Sequence, residues 1–115
     1  MVNAVRKLGV FVLLAALLFV FSVAAEASVI TITNRCGDDI HYLYLSDSGT
    51  SDWEEDVLGQ NVLENGATLQ INVQGRVSKF DLRAEDDDDN ALEWYGFPGN
   101  VTRITLHADG TAEYQ

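Results

Sequence analysis

Six consecutive positions, Glu85-Asp86-Asp87-Asp88-Asp89-Asn90, concentrate the chain's most reactive electrostatics. Five adjacent carboxylates repel one another by up to ~1 kcal/mol per close pair in water, and less in salt. Such a run either splays into solvent at a hairpin tip or recruits a cation. Asp86, Asp88 and Asn90 alternate as oxygen ligands do in calcium loops, but the long loop and terminal Glu of an EF-hand are absent. A calcium site built here needs donors from a neighbouring loop. Asp47 and Asp52, at the two ends of a Ser/Gly/Asp stretch, are the expected contributors, with the weak affinity of extracellular modules, ~10⁻⁴–10⁻³ M.

The second chemical feature is aromatic. Trp94, Tyr95 and Phe97 crowd one short stretch and are expected to form a binding surface for a carbohydrate or peptide, because exposed Trp and Tyr favour interfaces. The competing expectation is that they are core and cross-strand pairs.

Other reactive residues lack a pattern. His41 and His107 have no ligand-like spacing and no patterned third ligand for zinc. No G-x-S-x-G or comparable nucleophile motif occurs. Carboxylate pairs of the glycosidase kind arise by chance in so acidic a chain. No catalytic residue is therefore assigned, and the chain is expected not to be an enzyme. Cys36 is the single cysteine, beside Gly37 in a turn. A lone cysteine in an exported protein suggests a free thiol or a Cys36-linked dimer, and the alternative is a half-buried small apolar residue. Asn100-Val101-Thr102 matches a glycosylation sequon, relevant only in a eukaryotic source.

Export is read from the N-terminus. Arg6 and Lys7 precede an apolar run from Leu8 to Val23, and Ala25-Glu26-Ala27 follows as a small-residue cleavage site. That is the layout of a secretory signal peptide over residues 1–27, with a secreted or periplasmic destination. The alternative is an uncleaved anchor, for which the run is short against the ~20 residues that span a bilayer. Cleavage after Ala27 leaves 115 − 27 = 88 residues, one domain over 28–115. The 115-residue chain has 7 basic and 18 acidic residues; without Arg6, Lys7 and Glu26 the counts are 5 and 17, a net charge of −12. Such a surface repels nucleic acid and anionic lipid, so neither is an expected partner once the signal is removed.

These side chains must be positioned by strands. Residues 28–34, 39–46, 67–73, 77–84, 91–97, 101–107 and 111–114 alternate or are apolar over short runs, with turn residues between them. The spacing predicts an all-β fold, a small antiparallel β-sandwich of about seven to eight short strands. Residues 39–46 are apolar at nearly every position and are expected at the centre of a sheet. Trp53 to Gly66 breaks the alternation and reads as a crossing segment. Trp53 and its leucines are expected to plug one end of the sandwich, and Gly59 and Gly66 free the backbone to turn.

Asn34-x-x-Gly37-x-x-Ile40, Leu43 to Ser46, Trp53, Leu58-Gly59, Leu63-x-x-Gly66 and Phe80 to Arg83 together resemble a group of small secreted bacterial β proteins. The resemblance covers nearly all of residues 28–115. It implies a β fold and supplies no site, since the group has no established activity. Its members often carry cysteines near the fourth strand and after the fifth. Here Val77, Lys79 and Pro98 to Asn100 occupy those regions, so the disulfide that pins the sheets is absent. The expected function is an exported acidic binding module, acting on a protein or glycan of the cell envelope. A structural envelope protein and a small secreted enzyme or inhibitor are the alternatives.

Overall fold

Period-two alternation of β-branched and leucine residues against polar ones gives each strand one face to bury. The computed structural model describes residues 18–20, 27–74 and 77–115. Residues 1–17, 21–26 and 75–76 lie outside the described residues, and with them the basic start, most of the apolar run expected to be a signal peptide, and most of the expected cleavage site. Eight strands follow in order: β1 Leu18–Val20, β2 Ala27–Arg35, β3 Tyr42–Asp47, β4 Thr68–Gln74, β5 Lys79–Glu85, β6 Ala91–Pro98, β7 Arg103–His107 and β8 Ala112–Tyr114. They form a five-stranded sheet, β1-β4-β2-β7-β8, and a three-stranded sheet, β3-β5-β6. The all-β sandwich expected from the alternation is the observed fold. Within it, β1 pairs with β4 in parallel and β2 pairs with β7 in parallel, while the other pairs run antiparallel.

One core fills the sandwich. Ile30, Ile32, Leu69, Ile71, Ile104 and Leu106 come from the larger sheet. Leu43, Leu45, Phe80, Leu82, Ala84, Trp94 and Phe97 come from the smaller one. Each buried Ile, Leu or Phe among them contributes roughly 1.5–3 kcal/mol by leaving water. Asn34, fully buried, ties two loops at one end. Its Nδ2 donates to the carbonyls of Asp38 (2.8 Å) and Leu63 (2.9 Å), and its Oδ1 accepts from Cys36 N (2.9 Å). That clamp gives a physical reason for the Asn34 and Gly66 motifs, because Gly66, at φ 88°, also donates its N–H to Asn34 O at 2.6 Å.

Two expectations about the smaller sheet are corrected. Strand β3 is not central: β5 is, and β3 lies at the edge. Its apolar run is still sheltered because the crossing segment lies along that edge, with bridges Ile40↔Leu63 and Tyr44↔Asp56. Nor does Trp53 plug the end of the sandwich. Val57, Leu58 and Leu63 do so, each about 1% exposed, while Trp53 is half-buried and stands outside the core cluster.

Candidate functional site

The outer face of the three-stranded sheet carries two exposed aromatics, Tyr42 and Tyr95, with the half-buried Tyr44 and Trp53; a third exposed ring, Tyr114, lies on β8 of the other sheet. Alternation turns Tyr42 and Tyr44 of β3 away from Leu43 and Leu45, and their rings stack at 6.4 Å with planes 7° apart. On β5 the same parity turns Asp81, Arg83 and Glu85 outward, opposite Phe80, Leu82 and Ala84. On β6 a bulge intervenes. The register slips between Phe80↔Phe97 and Leu82↔Trp94, so Tyr95 and Gly96 together oppose Asp81. Gly96 adopts φ 79°, open to glycine at little cost, and donates its N–H to Asp81 Oδ1 at 2.8 Å. Tyr95 is left 66% exposed.

The bulge also settles the expected Trp94, Tyr95, Phe97 surface. Only Tyr95 lies on it. Trp94 and Phe97 are buried: the Trp94 indole N–H donates to Thr111 O at 3.1 Å, and Phe97 packs on Phe80 at 5.5 Å. Uninterrupted alternation would place Phe97 beside Tyr95. The extra residue at Gly96 resets the parity and returns Phe97 to the core.

Trp53 takes their place. Its ring lies 6.2 Å from that of Tyr95, tilted by 40°. Ser46 holds the backbone on both sides of it: Ser46 Oγ accepts from Glu54 N at 2.8 Å and donates to Asp52 O at 3.3 Å. Ser46, Asp81 and Tyr95 therefore form a row across the three strands, with Trp53 beside it, and with Asp52 they line a small cleft of about 120 Å³. Tyr42, Tyr44 and Trp53 were not anticipated as surface residues. The strict alternation of residues 42–45 carried the signal for the tyrosines; nothing local carried it for Trp53, whose backbone is irregular.

Charge on this face is organised around Arg83. Its Nε donates to Glu85 Oε2 at 2.8 Å, and it also binds Glu93. Those hydrogen bonds raise its pKa further above the usual guanidinium value. Glu93 accepts the Tyr95 hydroxyl as well. That hydrogen bond, followed by Arg83, lowers the carboxylate's pKa, and the same bond raises the phenol's. The arrangement offers fixed acceptors and aromatic faces, which suits noncovalent recognition.

The expected calcium ligands are not brought together. Tyr42 pairs with Glu85 and Asp47 with Phe80, so antiparallel pairing puts Asp47 and Asp52 at the opposite end of the sheet from Asp86. Six residue steps at ~3.4 Å, from Phe80 opposite Asp47 to Asp86, make that about 20 Å along the strand. Asp86, Asp88 and Asn90 do share the tip, but Asp86 already serves as its keystone. It accepts from Asp88 N (2.8 Å), Asn90 N (2.9 Å) and Asn90 Nδ2 (3.0 Å), bonds that lower its pKa, the Asn90 side chain most. Among the described residues, no cluster of three or more His, Cys, Asp or Glu is placed to hold a metal.

Beside that tip lies a second cleft, about 270 Å³, lined by Cys36, Asp38, Asp39, Glu85, Asp86 and Asn90 among others. Burial, then Asp38, pushes the Cys36 thiol up to about 11, and the side chain packs against the core. His41 adjoins this end through its N–H to Glu85 O at 2.8 Å. His107 lies on the other sheet, its Nε2 3.7 Å from Glu113. No family model, curated protein or solved structure matches the chain.

Proposed function

We propose that the chain is an exported acidic binding module of the cell envelope or secretome. It engages an envelope protein or glycan through the outer face of the three-stranded sheet. The observation that carries this reading is the concentration there of Tyr42, Tyr44, Trp53 and Tyr95 around the Arg83 ion pairs. Tyrosine, tryptophan and arginine are the side chains that dominate binding energy at interfaces. A purely protective envelope component would be expected to keep the face uniformly polar. Export is supported by the basic start, apolar run and Ala25-Glu26-Ala27. The formal net charge of −11 supports partners other than nucleic acid or anionic membrane.

A comparative pull-down from envelope extract tests the face. The wild-type protein should retain a partner that the Tyr42→Ser/Tyr95→Ser variant loses, with both proteins melting alike. Recovery of the same set by both overturns the assignment. For export, the mature N-terminus should be Ser28; an intact Met1 in the membrane fraction contradicts it.

A further inference from the structure

Resting on the reading of this face as a recognition surface, we infer that the cleft beside Trp53 and Tyr95 receives one cationic side chain, lysine or arginine, from a basic partner polypeptide.

Size comes first. The cleft measures about 120 Å³, below the ~300–1,000 Å³ of pockets that take drug-sized ligands. It suits the tip of a single side chain. The two rings stand 6.2 Å apart, within the ~4.5–7 Å of rings in direct contact. A flat group cannot be sandwiched between them, so a guest must rest against the ring faces that the cleft exposes.

Electrostatics then select the guest. An aromatic face is the negative pole of the ring's quadrupole and attracts an ammonium or guanidinium within ~6 Å. Asp52 and Asp81 line the same cleft, and none of the described lining residues is basic. Arg83, on the same face, is committed to Glu85 and Glu93. The chain's net charge of −11 adds long-range attraction for cations and repulsion for anions.

The rings are also held in advance. Ser46 fixes the backbone on either side of Trp53. The bulge fixes Tyr95 through Gly96 N–H to Asp81 Oδ1, and the Tyr95 hydroxyl is anchored on Glu93. A guest therefore avoids most of the entropic cost of ordering the site. Asp81 Oδ1 also accepts from Ser48 Oγ at 2.6 Å, which holds the carboxylate in place at the wall of the cleft.

The test is an NMR titration of the ¹⁵N-labelled protein with a capped lysine-containing peptide and its glutamine counterpart. The two indole N–H signals separate the surface from the core, because Trp53 flanks the cleft and Trp94 is buried. The lysine peptide should shift the Trp53 indole and leave Trp94 in place, and the glutamine peptide should do neither. Tyr95→Ala should weaken lysine-peptide binding by about fivefold, the scale of one cation–π contact, while Tyr95→Phe keeps it. Equal response to both peptides, or unchanged affinity in Tyr95→Ala, overturns the inference in favour of diffuse attraction. A neutral oligosaccharide that shifts the Trp53 indole where the lysine peptide does not also overturns it, yet leaves the recognition face standing. Loss of the face itself is read separately, from the pull-down with Tyr42→Ser/Tyr95→Ser.

Discussion

Asp56 accepts the backbone N–H of Leu43 at 2.8 Å, so one carboxylate takes the place of a missing strand along the β3 edge. The same oxygen accepts from Leu58 N at 3.0 Å, and Val57 N donates to Leu43 O at 2.7 Å. The crossing segment is thereby sewn to the sheet where the sequence loses its alternation. Leu43 is fully buried, and stripping its N–H of a partner incurs the desolvation cost of an unmet donor, about 1–3 kcal/mol. Asp56→Ala is expected to lose that much in urea unfolding. Asp56→Asn, which keeps an acceptor oxygen, is expected to lose clearly less. Equal losses would show that charge, not hydrogen bonding, holds the segment.

The same segment separates a core residue from a surface one five positions apart. Leu58 is 1% exposed within the core cluster, so Leu58→Ala is expected to cost about 2–5 kcal/mol. Trp53 lies outside that cluster, so Trp53→Ala is expected to cost less than about 1 kcal/mol despite the larger side chain removed. Chemical denaturation of the two variants checks the order. A Trp53 variant as unstable as the Leu58 one would return Trp53 to the core.

Strand identity was legible because alternation is local: residues 79–85 read inward and outward without help from the rest of the chain, whereas 42–45, apolar or aromatic at every position, read as covered on both faces. The hairpin tip at 86–90 was legible for the same reason. What escaped was set by distant partners. Nothing near residues 28–34 announces that β2 runs parallel to β7. The separation of Asp47 from Asp86 follows only from the β3–β5 register. The Trp94, Tyr95, Phe97 surface failed for a subtler cause. Gly96 was visible in the sequence, but a glycine does not state whether it bulges, and the bulge decides which face Phe97 takes.

With its five proposed ligands split between two ends of the sheet, the acidic tip has no assembled calcium cage. Millimolar calcium is therefore expected to raise the melting temperature no more than sodium chloride of equal ionic strength. Both act by screening the tip and the chain's charge of −11. Thermal melts in matched salts decide this. A calcium-specific rise that disappears in Asp86→Asn/Asp88→Asn would restore the site.

Acid is expected to destabilise the fold through the carboxylates it holds ionised. Asp86, Asp109 and Glu93 all have lowered pKa values: Asn90 is the first cause for Asp86, Thr111 for Asp109 and the Tyr95 hydroxyl for Glu93. A folded pKa below the unfolded one means that the unfolded chain binds protons more readily. Stability is thus complete above the ordinary values of 3.8 for Asp and 4.5 for Glu, and is lost as pH falls through the lowered ones. Urea midpoints should hold steady from pH 7 to about 5 and fall below about 4. Asp86→Asn should flatten part of that fall, and an unchanged slope would remove the tip from the account.

Cys36 bears on oligomeric state. Its pKa stands at about 11 against an ordinary 9.0, chiefly through burial and then through Asp38. The thiolate is the reactive species in alkylation and disulfide exchange. A rise of 11 − 9 = 2 units cuts the thiolate fraction near pH 8 by about a hundredfold. Iodoacetamide at pH 8 is therefore expected to label the folded protein about a hundred times more slowly than the urea-unfolded chain. Air-exposed protein should run as a monomer on non-reducing gels. The sign for stability is opposite to that of the acids. The folded thiol holds its proton more tightly than the unfolded one, so its contribution is complete below pH 9 and lost as pH rises from 9 toward 11. Cys36→Ala should remove that alkaline component of the fall. Labelling at the unfolded rate, or a dimer cleaved by reductant, would instead make Cys36 an accessible thiol and return the Cys36-linked dimer to the structure.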